Sequence, residues 1–258
     1  MGLSAESFLP LLARPDTPAE GADRAPTGRR RFTVVAANVA RSTRDTRAQA
    51  EALVALDADA VLVVEATDTT VDALDGAGLA RRWPHAAAWP DEGFFGALVA
   101  SRHPVIRAES RSLGGRPGLV VDLAVGRMPV RVVPVHTQAP IFDRDVGPWH
   151  DTLAATAAVA GEVAGPVVLA GDWNATGGHR AFRRNLRAHA LVDAQAVLGQ
   201  RWLPTWPVRD PRRSRLPPLL ALDHVVTSAD VRVAALERLP LPGTDHLALR
   251  ATLHLPHP

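Results

Sequence analysis

The sequence of 258 residues contains no cysteine, no lysine and no tyrosine. The absence of cysteine excludes disulfides, a thiolate nucleophile and cysteine-ligated metal sites, and it leaves the redox compartment open. The absence of tyrosine excludes a catalytic phenol. All 29 basic side chains are therefore arginines, and they raise the sequence pI to 10.6 although the formal net charge is only +2. This near balance of positive and negative charge argues against strong, sequence-independent binding to DNA.

Long hydrophobic runs are also missing. No apolar stretch reaches the roughly 18 residues that a membrane-spanning helix needs. The apolar stretch at residues 7–15 is short, lacks positive charge before it and lacks a small-residue cleavage pattern near it. We therefore expect no signal peptide and a cytoplasmic protein.

Hydrophobic residues make up 47% of the chain and charged residues 22%, as in ordinary globular proteins. Residues 1–30 are rich in proline, glycine, alanine and charge, a composition that predicts a flexible N-terminal arm. Alternatively, the apolar residues between 8 and 12 form one helical turn that docks on the rest of the protein. The folded domain is expected at residues 31–258, a length that suits one large α/β domain.

Short apolar segments alternate with amphipathic ones from residue 31 onward. Several apolar segments are continuous, which predicts strands covered on both faces and hence packed sheets with helices outside. Strands are predicted at residues 32–37, 60–65, 96–101, 118–125, 130–135, 166–171, 222–227 and 247–253. Helices are predicted at 43–56, 149–164 and 179–188, and long loops at 139–148 and 204–218.

Polar residues follow several of these strands directly. Asn38, Glu65, His136, Asp172 and Asn174 each lie at or just after the carboxyl end of an apolar segment. Open α/β sheets place their functional sites at those ends. The positions therefore predict a common site.

The segment Gly171-Asp172-Trp173-Asn174 gives the strongest local signal. In extended backbone, residues two apart point to the same side, so Asp172 and Asn174 are expected to share one substrate. A carboxylate can orient or deprotonate water, and an amide can donate to a phosphoryl oxygen. Read alone, the same residues also suit an ordinary turn.

A second signal is Thr244-Asp245-His246, with Asp223 in Leu222-Asp223-His224 as a candidate partner for His246. A histidine titrates near neutrality, and a carboxylate commonly fixes its orientation. Asp245 is expected to face a metal while His246 faces the substrate. Read alone, the Asp-His pair also suits a surface or capping role.

Asn38 and Glu65 end buried strands, where an unpaired polar group is costly, so a cation or charged ligand is expected there unless Glu65 is exposed at an edge. The available ligands are oxygens, which favour Mg²⁺ or Mn²⁺, as one or two ions, over zinc. Most arginine clusters suit solvated faces. Arg212 and Arg213 precede Asp223 and are predicted to reach a second phosphate or an acidic headgroup.

In chain order, NVA at 38, VVEAT at 63, VHTQAP at 135, GDWNAT at 171, LDHVV at 222 and TDHLAL at 244 resemble the motif series of the endonuclease/exonuclease/phosphatase superfamily. The resemblance spans residues 31–253. It implies a four-layer α/β/β/α sandwich, with two mixed sheets face to face and helices outside, and a divalent metal.

The resemblance also implies a role for each matching residue. Asn38, Glu65 and Asp245 would hold or neighbour the metal, and Asp172 would activate or orient water. Asn174 and His136 would hold phosphoryl oxygens. His246, held by Asp223, would contact the phosphate as acid, base or charge stabiliser.

Some motif details depart from the usual pattern, as in His136-Thr137-Gln138 and in Trp173. Together with Thr205-Trp206-Pro207 they resemble a bacterial branch that includes glycopeptide-resistance proteins, whose relatives often carry membrane helices that are not found here. Gln138 and Trp206 are predicted to bind substrate.

The favoured function is therefore metal-dependent hydrolysis of a phosphoester or diphosphate in a phosphorylated small-molecule or lipid-linked substrate. A Mg²⁺-dependent nuclease is the first alternative, with nucleic acid less favoured because of the low net charge. A fold repurposed for binding or for non-hydrolytic biosynthetic chemistry is the second. The oligomeric state stays open.

Overall fold

The computed structural model describes residues 26–200, 202–208 and 217–256. In these residues, twelve strands form two mixed sheets of six strands each. The strands are β1 Arg29–Asn38, β2 Ala60–Val64, β3 His85–Trp89, β4 Ala97–Ser101, β5 Val105–Leu113, β6 Arg116–Val125, β7 Met128–His136, β8 Val167–Asp172, β9 Leu191–Asp193, β10 Asp223–Ser228, β11 Arg232–Pro240 and β12 Leu247–Pro256.

Helices cover the outer face of each sheet. The described helices are α1 Thr46–Val54, α2 Asp68–Ala77, α3 Leu79–Arg82, α4 Asp143–Ala158, α5 Arg180–Ala188 and α6 Ala194–Val197, with a 3₁₀ turn at Val159–Glu162. None of the helices in the described part of the chain is long and apolar enough to span a bilayer.

The first sheet has the order β11-β12-β1-β2-β4-β3, and the second has the order β5-β6-β7-β8-β10-β9. Each sheet contains one parallel pair, β1 with β2 and β7 with β8, and its other pairs are antiparallel. Parallel strands end at the same edge of their sheet. Because Asn38 at the end of β1 contacts Asp172 at the end of β8, the residues that follow all four strands lie at one edge of the sandwich. The starts of β10 and β12 reach the same edge, since both strands run antiparallel to their neighbours.

Three apolar layers hold the sandwich together. Along β1, Phe32 and Val34 point between the two sheets, whereas Val35 points toward α1 and α2. A third layer lies between the second sheet and α4 and α5, where Leu153 and Phe182 are buried. Both faces of the central strands are covered, which explains their continuous apolar sequence. The predicted four-layer α/β/β/α sandwich is confirmed.

The loop predicted at residues 139–148 is wrong in its second half, because α4 begins at Asp143 and contains Pro148. The backbone N–H of Phe142 donates to the Asp145 carboxylate (3.1 Å), and acids in the first turn suit the helix dipole. The helix also ends at Ala158, earlier than predicted. In the other predicted loop, Trp206 pairs with Leu220 in an isolated bridge, and residues 209–216 lie outside the described residues.

The arm predicted over residues 1–30, with its alternative docking turn at 8–12, lies outside the described residues up to position 25. Arg29 and Arg30 already belong to β1, where they pair with the end of β12.

Candidate active site

A carboxylate–amide network joins the two sheets at the common edge. The Asn38 amide nitrogen donates to Glu65 Oε1 (3.0 Å) and to Asp172 Oδ2 (3.2 Å). Asn38 and Glu65 come from the first sheet and Asp172 from the second, and Asn38 and Asp172 are almost fully buried. One amide thus brings two carboxylates from opposite sheets into contact.

Glu65 occupies a strained position directly after β2. Its φ is +58°, a left-handed conformation that is uncommon for residues other than glycine. Its Oε2 accepts a hydrogen bond from the backbone N–H of Arg41 (3.0 Å). A Cβ on Gly96 would meet the Ala66 carbonyl oxygen at 1.9 Å, so glycine is required beside this turn. Strain held in place by such packing is typical of functional sites.

His136 ends β7 and faces both carboxylates. Its Nδ1 lies 2.6 Å from the Phe94 carbonyl oxygen, so Nδ1 carries the proton, because a carbonyl can only accept. The other ring nitrogen, Nε2, lies 3.7 Å from Asp172 Oδ2 and 3.9 Å from Glu65 Oε1. The structure therefore brings His136 to the same centre.

Asn174 reaches the site differently from the prediction. Its φ is +44°, so the extended geometry predicted for Asp172 and Asn174 is wrong. The backbone N–H of Asn174 donates to Asp172 Oδ1 (2.8 Å), and its side-chain amide donates to the Thr137 carbonyl (2.9 Å). A side-chain amide has two N–H groups, so one remains for a ligand oxygen. Residues 172–174 form a tight turn that still presents the Asp172 carboxylate and the Asn174 amide to the site.

His246 pairs with Asp223, the candidate partner that the sequence offered for it. His246 Nδ1 lies 2.8 Å from Asp223 Oδ2, and Nε2 lies 3.7 Å from Asp172 Oδ2. Burial alone would lower the pKa of His246, but the carboxylates of Asp223, Asp172 and Asp245 raise the pKa to about 10. The imidazole is therefore a cation at neutral pH.

Asp172 lies between these groups. Burial is the main reason that the pKa of Asp172 is raised, and Asp223 raises it further, while His246 and His136 oppose the shift. Four carboxylates, at residues 65, 172, 223 and 245, lie within 4.0 Å of the two histidine rings, and such a cluster of acids favours a bound cation.

Asp245 and Trp206 lie at the mouth of the site. The indole N–H of Trp206 donates to Asp245 Oδ2 (2.8 Å), and the Trp206 ring lies 6.4 Å from the His246 ring. Asp245 Oδ1 is 4.0 Å from His246 Nε2, and the Asp245 side chain is half exposed. Within residues 26–200, 202–208 and 217–256, no group of three or more histidine, aspartate or glutamate side chains forms a metal cage.

Three further residues were predicted to bind substrate, namely Gln138, Arg212 and Arg213. Gln138 is half buried, and its backbone N–H donates to Thr152 of α4 (3.2 Å). Arg212 and Arg213 lie outside the described residues.

Several supporting residues were missed by the sequence analysis. Thr244 Oγ1 donates to the Asn38 carbonyl (2.8 Å) and accepts from the His246 backbone N–H (3.1 Å). The buried Thr205 hydroxyl accepts from the backbone N–H of Asp223 (3.2 Å). Both threonines belong to segments that the sequence had already singled out, Thr244-Asp245-His246 and Thr205-Trp206-Pro207. Their hydroxyl roles depend on contacts over long distances in sequence.

The model of the Endonuclease/Exonuclease/phosphatase family matches residues 30–246. The chain belongs to this family. No curated protein matches the sequence.

Solved structures of the family share the fold at low identity. Humanized TDP2 from D. rerio superposes with a TM-score of 0.68 at 14% identity, covering 86% of this chain and 98% of that chain. Sphingomyelinase C from Streptomyces griseocarneus gives 0.62 at 18% identity, covering 86% and 99%. An endonuclease/exonuclease/phosphatase from Beutenbergia cavernae gives 0.65 at 20% identity, covering 88% and 72%. None of these comparisons distinguishes the glycopeptide-resistance branch, which stays a prediction.

Proposed function

We propose that the protein is a divalent-metal-dependent hydrolase of phosphoester or diphosphate bonds in a small-molecule or lipid-linked substrate. Members of its family are hydrolytic enzymes that act on phosphoesters. The observation that carries the proposal is the meeting of Asn38, Glu65 and Asp172 from both sheets with two imidazoles, His136 and His246. Such a set can position water and a phosphoryl group together.

Asn38 and Glu65 are the proposed metal ligands, with Asp245 as the candidate third. Glu65 and Asp172 bring together the carboxylate oxygens that a hard cation prefers, and the Asn38 amide, whose N–H now donates to both, would turn its oxygen toward the ion. We propose Mg²⁺ or Mn²⁺, as one or two ions. When bound, the ion supplies Lewis-acid stabilisation of charge on the phosphoryl oxygens.

The protein's own residues would carry the remaining steps. Asp172 accepts a proton from the attacking water or orients it, helped by the N–H of Asn174 that holds its other oxygen. Asn174 and His136 contact phosphoryl oxygens. His246, oriented by Asp223, donates a proton or hydrogen bond from Nε2 to the phosphate.

The substrate class is proposed from chemistry shared with relatives and from charge. One similar structure is a sphingomyelinase C, and another holds a single-strand DNA product. The net charge of +2 supports a small or lipid-linked phosphate ester over nucleic acid.

A substrate screen tests this proposal. Phosphomonoesters, phosphodiesters, diphosphates and DNA would be offered with Mg²⁺, with Mn²⁺ and with a chelator. Turnover should need a metal and should fall by about 10²-fold or more in Asp172→Ala, since Asp172 serves the attacking water. Asp75→Ala, on the exposed face of α2, is the matched control and should keep full activity. Metal-independent turnover, or turnover that survives in Asp172→Ala, would refute the proposal.

A further inference from the structure

Large apolar side chains are exposed mainly around the candidate active site. Among the described residues, ten large hydrophobic side chains are exposed, and seven of them lie in three segments that border the site. These seven are Phe94, Ile141, Phe142, Val146, Trp202, Leu219 and Leu220. We call them the apolar rim. Isolated exposed hydrophobics are ordinary, but a cluster around a site mouth marks an interaction surface.

The first rim segment is attached directly to the site. The Phe94 carbonyl accepts the hydrogen bond from His136 Nδ1, while the Phe94 ring is half exposed. The guanidinium carbon of Arg41 lies 4.1 Å from the centre of that ring, and the Arg41 backbone holds Glu65. An exposed aromatic ring paired with a cation thus lies one backbone hydrogen bond away from His136 and Glu65.

The second segment joins Gln138 to the start of α4. Ile141 is 71% exposed and Phe142 56%, and the guanidinium carbon of Arg144 lies 4.5 Å from the Phe142 ring centre. Val146 follows one turn later on the same helix. The arrangement repeats the ring-and-cation pairing of the first segment.

The third segment consists of two stretches, at residue 202 and at residues 219–220, that lie on either side of Trp206 in the sequence. Trp202 is 68% exposed, and the backbone N–H groups of Leu219 and Leu220 both donate to the Trp206 carbonyl (2.8 Å each). Trp206 in turn holds Asp245. The rim segments are therefore linked to residues of the site by hydrogen bonds or by a few residues of chain.

A positively charged groove borders α4, the helix that carries Val146 of the rim. Arg180, Arg183, Arg184 and Arg187 share one face of α5 and, with His150 of α4, line a groove of about 570 Å³. Among the described residues, none of these four guanidinium groups lies within 4.0 Å of a carboxylate. Arg180 follows Asn174 by six positions, a span of at most about 21 Å.

We infer that the apolar rim and this groove dock the protein on an anionic phospholipid bilayer, with the active site facing the headgroups. An interfacial site of this kind needs apolar side chains that enter the headgroup region and cations that attract anionic lipid. The inference deepens the proposed function, because it assigns the substrate to a lipid phosphate ester in a membrane. The docking step itself does not require turnover.

The composition of the rim favours lipid over nucleic acid. Phe94, Phe142 and Trp202 could stack on bases, but Ile141 and the leucines at 219 and 220 offer no stacking surface. Within the rim segments the two arginines are outnumbered by acids, at residues 91, 92, 143 and 145, and Arg144 lies 3.9 Å from the Asp145 carboxylate. The excess positive charge therefore lies on α5. We therefore expect the rim to supply apolar affinity and α5 to supply the dependence on anionic lipid.

Vesicle co-sedimentation of the full chain tests the inference, using phosphatidylcholine vesicles with and without phosphatidylglycerol. Replacing Ile141 and Phe142 together by serine should weaken partitioning about tenfold or more, because two inserted side chains are lost. Replacing Arg184 and Arg187 together by glutamine should remove most of the gain from phosphatidylglycerol and of its salt sensitivity. Ile106→Ser, an exposed apolar residue on β5 away from the site, is the matched control and should bind normally.

Turnover of a water-soluble aryl phosphodiester separates this inference from the proposed function. The rim and α5 variants should retain it, whereas Asp172→Ala should lose it and still bind vesicles. Failure of the full chain to bind vesicles, or binding unaffected by the Ile141 and Phe142 changes, would overturn the docking inference alone. Tight binding of a single-stranded oligonucleotide that depends on Arg184 and Arg187, without vesicle binding, would also overturn it.

Discussion

Asp223 and His224 are neighbours on β10, yet each belongs to a different histidine–aspartate pair. Asp223 pairs with His246 at the site mouth (2.8 Å), while His224 Nδ1 lies 3.3 Å from Asp193 on the outer side of the second sheet. Successive residues of a strand point to opposite faces, so one strand serves both pairs. The alignment of His224 with Asp193 is too poor for a hydrogen bond, which leaves an ion pair.

The two pairs resemble each other in charge and differ in what the second ring nitrogen faces. Burial alone would lower the pKa of His224, but the contact with Asp193 and the Ala175 carbonyl raises it. His224 Nε2 lies 2.9 Å from the Ala175 carbonyl oxygen, and the residue is fully buried. His246 Nε2 instead points toward Asp172. The same chemistry therefore stabilises the fold in one pair and is available to a ligand in the other.

The largest effect is expected from breaking the pair at the site. His246→Ala should lower kcat/KM by about 10²- to 10⁴-fold, because a group that donates to the phosphate is lost. Its melting temperature should fall as well, because removal of the imidazole leaves the buried Asp223 carboxylate without its counter-charge. Steady-state kinetics and a thermal melt on the same sample check both statements, and near-normal kcat/KM would remove His246 from the mechanism.

At the pair formed by His224 and Asp193, the change should affect stability and leave activity intact. Asp193→Asn keeps an acceptor for the backbone N–H of Gln195, which Asp193 caps, but it removes the charge that His224 faces. Breaking a buried pair costs about 3 kcal/mol, or roughly 6–12 °C in a protein of this size. Activity per folded molecule should be unchanged.

The stability effect of Asp193→Asn should also depend on pH. The folded-state pKa of His224 is raised above the unfolded value of about 6.5, so the pair stabilises fully below that pH. Its contribution is lost as pH rises through the folded-state pKa. Thermal melts should therefore show a larger deficit for Asp193→Asn at about pH 6 than at about pH 9, and an equal or reversed difference would contradict the charged pair.

The sequence predicted all eight inner strands and none of the four edge strands. Inner strands such as β2 are buried on both faces and read as continuous apolar segments, whereas β3 and β5 are half exposed and carry no such pattern. The edge strands β9 and β11 were missed with them. Hydrophobic patterning reports burial, so it reports the edges of a sheet poorly.

The candidate site shows a similar division. The strand-end positions of Asn38, Glu65 and Asp172 follow from their place after apolar segments, and their convergence agrees with the network at the sheet edge. The division of labour between His246 and His224 does not follow, because it depends on which face of β10 each partner packs against. That face is set by contacts with residues 23 and 31 positions away in sequence, and no local pattern encodes them.

A smaller effect is expected when the charge of the site pair is removed but its hydrogen bond is kept. Asp223→Asn retains an acceptor for His246 Nδ1, so the ring keeps its orientation, while the imidazolium loses its nearest counter-charge. Loss of the carboxylate behind a metal-bound histidine typically lowers activity about 10- to 100-fold, and we expect a similar loss here because Asp223 orients His246 in the same way. The change should appear in kcat with little change in KM, and Asp193→Asn, measured in parallel, should leave kcat unchanged.

The smallest effect is expected from Trp206, which lies beside the His246–Asp223 pair where that pair approaches solvent. The buried His224–Asp193 pair has no such neighbour position. Trp206→Phe keeps an aromatic ring near His246 but removes the indole N–H that donates to Asp245. One hydrogen bond to a half-exposed carboxylate contributes about 0.5–1.5 kcal/mol, so KM should rise by roughly 2- to 13-fold with kcat nearly constant. A fall in kcat as large as that of His246→Ala would mean that Trp206 acts on the reacting groups themselves rather than on the placement of Asp245. An unchanged KM, even at limiting metal, would show that the Asp245 contact has no part in binding.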